Sequence, residues 1–134
     1  MRSISFSVLL GCLALCLATT GCRSKVRFEE EASIDKTSAG YHKIIERPKS
    51  NQKIRVELIG ASEPVSIIVF LGKDEANAMA DIEKYRESSP HWLAFKNKVK
   101  DAVLEVTIPA KEEIHIFVQA QDKSATAKVR VNSY

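Results

Sequence analysis

The chain has 134 residues, 28% of them charged and 45% hydrophobic, which suits one small folded domain and excludes an intrinsically disordered protein. Its formal charge of +3 comes from 20 basic and 17 acidic residues, too small an excess for a nucleic-acid-binding face.

The first element stands apart from that domain. Met1-Arg2-Ser3 puts one positive charge ahead of an almost unbroken apolar run from Ile4 to Leu17. A bilayer-spanning helix takes about 20 apolar residues, so this shorter run fits the core of a cleaved export signal. It closes in Leu17-Ala18-Thr19-Thr20-Gly21-Cys22. This segment resembles the lipobox of bacterial lipoproteins, in which small or apolar residues lead to Gly or Ala and then Cys. Thr19 stands where that family prefers Leu. The resemblance implies diacylglycerol on the Cys22 thiol and cleavage between Gly21 and Cys22. The mature protein would then be lipid-anchored to the cell membrane or outer membrane, facing the periplasm or exterior. Arg23 after the modified Cys implies the outer membrane by the sorting rule of enteric bacteria. Cysteine usage agrees, because Cys12 and Cys16 would leave with the leader and lipid would occupy the last thiol. Loss of Arg2 leaves 19 basic against 17 acidic residues, a charge of +2.

Arg23 to about Gly40 carries Glu29-Glu30-Glu31, several basic residues and few large apolar side chains. Residues 22–40 are therefore expected to be the lipidated Cys and a flexible tether, with at most an edge strand around Val26 and Phe28. From Tyr41 the period becomes two. Ile54, Val56 and Leu58 alternate with Arg55 and Glu57, predicting a strand with one wet face. After the Glu63-Pro64 turn, Val65 to Leu71 is apolar throughout, as in a central strand, and the two runs are expected to pair as a hairpin. Asp74 to Glu87 predicts a helix that crosses between sheets, with Met79, Ile82 and Tyr85 or Arg86 on one face and Ser88-Ser89-Pro90 as its stop. His91 to Val99 reads as a further strand. Three more follow, through Leu104-Val106-Ile108, Ile114-Ile116-Val118 and Ala125-Ala127-Val129-Val131. The expected fold is mainly β, a small antiparallel β-sandwich over residues 41–134 with one helical insertion at about 74–87.

Val106-Thr107-Ile108-Pro109-Ala110-Lys111-Glu112-Glu113, the strand after it and the final alternating strand resemble the closing half of pre-peptidase C-terminal-like and GOLD-like β-sandwiches. Glu63-Pro64-Val65-Ser66-Ile67 is similar to the hairpin before their variable insertion. Lys111 stands where that pattern usually has Gly. The resemblance covers roughly Tyr41 to Tyr134 and implies an accessory binding or packing module rather than an enzyme.

The residues support the same expectation. His42, His91 and His115 form no i, i+2 or i, i+4 pair with another His or a Cys, so no metal site and no cofactor are expected. His115 is expected on the solvated outward face of its strand. No phosphate-binding Gly loop, Gly-x-Ser-x-Gly elbow or His-Glu-x-x-His is present. The carboxylates sit at a helix start and in a turn, which does not suggest a paired acid and base. No catalytic residues are therefore assigned. The sequence leaves one surface candidate, Trp92, Phe95, Lys96, Lys98 and Lys100, whose aromatics and lysines could meet a glycan or lipid headgroup. The alternative is that Trp92 or Phe95 closes the core while the lysines face water. The leading expectation is a lipid-anchored, non-enzymatic module that binds or packs against another envelope component. A protein partner is favoured, met through a sheet edge or the helical insertion. The membrane contact is made by the lipid on Cys22, with no role for nucleic acid.

Overall fold

The structure is a computed structural model that describes residues 26–36 and 40–134; the leader, Gly21 and Cys22 lie outside the described residues. One sheet holds β1 (Arg27–Ile34), β8 (Ala125–Ser133), β3 (Gln52–Ile59) and β6 (Ala102–Ile108), antiparallel and in that order. The other holds β2 (Tyr41–Ile45), β7 (Ile114–Ala120), β4 (Val65–Leu71) and β5 (Ala94–Val99). The fold is thus the mainly β sandwich that the alternation predicts.

In the first sheet, one face of each strand is buried and the other meets water. Ile54, Val56 and Leu58 of β3, Leu104, Val106 and Ile108 of β6, and Val129 and Val131 of β8 point into the sandwich. The outer face carries a lattice of charge: Arg130 bonds Glu29 at 2.7 Å and Glu57 at 3.3 Å, and Arg55 bonds Glu105 at 2.9 Å. Exposed pairs of this kind each contribute at most about 1 kcal/mol, so they solubilise the face more than they stabilise it. In the second sheet the two central strands, β7 and β4, are buried on both sides, while β2 and β5 are partly exposed. Its inner face adds Val65, Ile67, Val69, Ile114, Ile116 and Val118 to the main core. Its outer face lies under α1 (Glu75–Glu83), where Ala78 and Ile82 pack with Trp92 on Ile68, Phe70 and Phe117.

Four expectations are corrected. The first is the tether. Arg27–Ile34 is a full strand paired in register with β8, from Arg27 opposite Asn132 to Ile34 opposite Ala125. Arg27, Glu29 and Glu31 face water while Phe28, Glu30, Ala32 and Ile34 face the second sheet, so charge on alternate residues was a wet face rather than a linker. The domain therefore begins before residue 41. The Tyr41 hydroxyl donates to Glu30, and Lys43 lies 5.0 Å from the Phe28 ring, tying β1 to β2 across the sandwich.

The second is the hairpin. β3 pairs with β6 and β8, whereas β4 pairs with β5 and β7. The segment 60–64 spans from one sheet to the other, a gap of about 10 Å.

The third is the path of the helical insertion, which leaves β4 and returns to β5 beside it, staying on one sheet. A 3₁₀ turn, Gly72–Asp74, precedes α1.

The fourth is the length of the helix, which stops at Glu83 because Tyr85 takes a left-handed backbone with φ 53°. Tyr85 N–H then bonds the Ile82 carbonyl and Arg86 N–H bonds the Asp81 carbonyl, the two bonds of a Schellman cap. Lys111, in the turn after Pro109, also lies in the left-handed region, with φ 66°, at the place where glycine would carry no penalty.

If β1 belongs to the folded unit, truncating its innermost side chain must cost core energy. Ile34 is fully buried, so Ile34→Ala should lower unfolding free energy by about 2–5 kcal/mol. Urea denaturation of the two forms measures this; a loss near zero would return the segment to a tether.

Candidate functional site

With one outer face given to a charged lattice, chemistry gathers on the other, around α1. Two groups of residues lie there, toward opposite ends of the strands.

The first group is built by β2, β7 and the start of α1. His42 lies opposite Phe117 in the β2–β7 register, so His115, two residues along β7 on the same face, is its diagonal neighbour. Their rings meet at 2.9 Å, His42 Nε2 to His115 Nδ1. On its other side His115 Nε2 lies 2.9 Å from Glu113 Oε1. The His115 hydrogen bond is the main reason the Glu113 carboxyl titrates below its ordinary range. An ionised Glu113 can only accept, which puts the proton on His115 Nε2 and leaves Nδ1 to accept from His42 Nε2–H. Partial burial of the His42 ring, and then His115, push the His42 pKa down, against a smaller opposing effect of Glu75. Glu75, the first residue of α1, brings a carboxylate to the same point: ligand atoms of His42, Glu75 and His115 lie within 4.8 Å of one another.

His115 is therefore not the solvated strand residue expected from alternation. It is 1% exposed, walled by Phe70 with ring centroids 5.2 Å apart. The outward face of β7 is wet only if nothing covers it, and here α1 and its loops do. Nor could His42 and His115 be paired from the sequence, because 73 positions separate them. The close approach of Glu113 depends on Gly72, whose amide donates to the Glu113 carbonyl at 2.9 Å. A Cβ on Gly72 would stand 2.4 Å from Glu113 Cγ and 2.5 Å from Oε1.

The second group is a cleft of about 520 Å³ beside the C-terminal end of α1. Ser66, Ile68, Gln119 and Gln121 line it from the sheet, and Tyr85, Arg86, Glu87, Asn97 and Lys98 from the insertion and β5. Its polar lining is ordered. Gln121 donates to Ser66 Oγ at 2.6 Å, Asn97 donates to the Glu87 carbonyl at 2.9 Å, and Arg86 pairs with Asp81 at 3.2 Å. The Ser89 hydroxyl, first, and Arg86 hold the Asp81 carboxyl below its usual range. Two non-glycine residues of the lining, Tyr85 and Lys98, have left-handed backbones with φ 53° and 51°. Such conformations cost about 1–2 kcal/mol each and cluster at functional sites. Tyr85 is also 80% exposed.

The sequence-derived surface divides on this frame. Trp92 is 7% exposed and belongs to the cluster under α1, its indole N–H donating to the Ala78 carbonyl at 3.3 Å. Phe95 packs edge-on against it at 5.3 Å. Trp92 and Lys98 both line the cleft. Lys96 lies opposite Ile67, the register position that faces the sandwich interior, at the open edge of β5. Lys100 lies beyond the strand, its carbonyl accepting from Ala61 N–H. Of the three lysines, Lys98 alone lines the cleft. Alternation over Lys96–Lys98–Lys100 would align them, but the register shift between Val65 and Ile67 and the left-handed Lys98 break it. Tyr85, Asn97, Gln119 and Gln121 carried no sequence signal, apart from the position of Tyr85 at the end of a helical pattern.

No family model and no curated protein matches the chain. Among solved structures, it is similar to the pre-peptidase C-terminal domain of a collagenase from Bacillus anthracis, at 5% sequence identity and a TM-score of 0.49, covering 79% of this chain and 89% of that one.

Replacing Gly72 with Ala should push Glu113 away from His115 and leave a buried N–H without its acceptor, a loss of about 1–3 kcal/mol. Denaturant midpoints of Gly72→Ala, Glu113→Ala and the double variant check it. The double should be no less stable than Glu113→Ala alone, since the displaced carboxylate is then already gone.

Proposed function

We propose that this chain is a lipid-anchored protein of the bacterial cell envelope whose sandwich is a non-catalytic binding module for another envelope component, with a protein as the partner class. Cys22 would carry the anchor. Four residues lie between it and Arg27, where β1 starts, so the five backbone steps reach at most about 18 Å when fully extended. The anchored end of the sandwich would then be the one with the starts of β1 and β3 and the end of β6, close to the bilayer. The cleft opens toward the other end, where Val65 pairs with Ala120.

The observation that carries the binding role is Tyr85. An aromatic ring stands 80% exposed at the rim of the cleft, on a backbone conformation that glycine would adopt more cheaply. Exposed tyrosines with little side-chain freedom to lose are common anchors of protein interfaces. The amides Asn97, Gln119 and Gln121 favour a second reading, a glycan ligand held by hydrogen bonds, with Trp92 in the cleft wall and Phe95 packed against it.

The anchor is tested by fractionation. Wild-type protein should label with radioactive palmitate and stay with membranes through high salt, while Cys22→Ser should lose the label and remain as unprocessed precursor. Label on Cys22→Ser, or wild type in the soluble fraction, would refute the anchor.

Binding is tested separately by Tyr85→Gly, which relieves backbone strain. This variant should be more stable than wild type by about 1 kcal/mol yet lose its crosslinks to the envelope partner. A glycan ligand would instead shift the Asn97, Gln119 and Gln121 amide resonances on titration with solubilised cell-wall oligosaccharides. Unchanged crosslinking in Tyr85→Gly together with no shift from the oligosaccharides would remove the cleft from the function.

A further inference from the structure

The group formed by His42, Glu75 and His115 has a property that neither the sandwich nor the cleft requires. Three elements distant in sequence, β2, α1 and β7, each contribute one metal-ligating side chain to a single point, with all three ligand atoms within 4.8 Å of one another. We propose that this point binds a divalent transition metal of the zinc type, through His42 Nε2, His115 Nδ1 and the Glu75 carboxylate, with water in the fourth position.

The distances are close to what the metal needs. Ligand atoms about 2.0–2.1 Å from a tetrahedral ion stand roughly 3.3 Å apart. The two imidazole nitrogens are at 2.9 Å, a few tenths short of that spacing. Glu75 has to close by a rotamer change, which its exposed position permits. The donor set of two imidazoles and a carboxylate suits zinc, cobalt or nickel better than the all-oxygen ions magnesium and calcium.

Support behind the donors is also in place. A metal-binding histidine typically donates its second ring N–H to a carboxylate, which fixes the tautomer and turns the lone pair toward the ion. Glu113 does this for His115 at 2.9 Å. Gly72 leaves the room for it. His115 is rigidly buried against Phe70, while His42 and Glu75 are exposed, which gives the ion an entry path and room for its water. Binding would break only the His42–His115 hydrogen bond. The His42 proton leaves Nε2 and is taken up at Nδ1 through solvent, so the ring stays neutral and the ion replaces the shared hydrogen. The ion would also staple the first turn of α1 to the sheet, joining the insertion that walls the cleft to the rigid layer beneath it.

The test is a titration of the full chain in detergent, thiols blocked, with Co²⁺ followed by its visible absorption and then displaced by Zn²⁺. One Co²⁺ per chain should bind with the strong bands of a four-coordinate site, and Zn²⁺ should raise the melting temperature. His42→Ala and Glu75→Gln, both at exposed positions that leave the fold intact, should each weaken binding tenfold or more. Glu113→Gln should weaken it about 10–100-fold, as expected of a supporting carboxylate. His91→Ala should leave it unchanged. The proposal is overturned if no stoichiometric Co²⁺ binding is seen, if binding survives His42→Ala at full strength, or if His91→Ala abolishes it equally.

Discussion

Burial on both faces of β7 and β4, the central strands of the β2-β7-β4-β5 sheet, is the constraint from which the rest of the molecule follows. β4 reads Val-Ser-Ile-Ile-Val-Phe-Leu and is buried along its whole length, and β7 nearly so. A sheet in a two-layer sandwich has only one face covered by its partner, so the other must be covered by something else. The nine residues of α1 and the loop through Trp92 supply that cover. Burying Ile68, Phe70 and Phe117 against them is worth about 1.5–3 kcal/mol per side chain, enough to hold a short helix that would not form alone.

The same cover changes the chemistry of every polar group beneath it. A histidine on an open strand is solvated and unremarkable. Under a lid, His115 must be satisfied by protein, because a buried N–H without an acceptor costs about as much as several surface ion pairs contribute. Glu113 and His42 meet that need. At the other end the lid stops short, and the left-handed cap at Tyr85 turns the chain away from the sheet. The opening left there is the cleft. Cluster and cleft are thus two consequences of one helix that is shorter than the sheet it covers.

The opposite sheet illustrates the complementary solution. Its outer face carries a mesh of Glu29, Glu57, Arg130, Arg55 and Glu105, with the Tyr134 ring against Arg55. Edge strands invite pairing with other chains. β1 answers with charges on alternate residues, and β5 with a register shift and lysines. The molecule therefore presents one face suited to water and one that carries structured polar groups.

Much of this was legible in the residues. Period-two alternation marks β3, β6 and β8, because a strand with one wet face must alternate. A continuous apolar run marks β4 as central for the same reason. The proposal of a leader and an anchored Cys22 rests on local order along the chain, which needs no fold at all. What alternation could not give was partnership. β3 and β4 are neighbours in sequence but lie in different layers, and which strands pair is decided by how two sheets close around a shared core. Glu29-Glu30-Glu31 read as linker because a wet strand face and a solvated tether have the same composition; only pairing with β8 separates them. Likewise His115 could be placed on the outward face of β7 but not known to be buried, since burial there depends on a helix some 30 to 40 positions earlier in the chain. Local patterns report which side of a strand faces out. Only the assembled layers decide whether out means water.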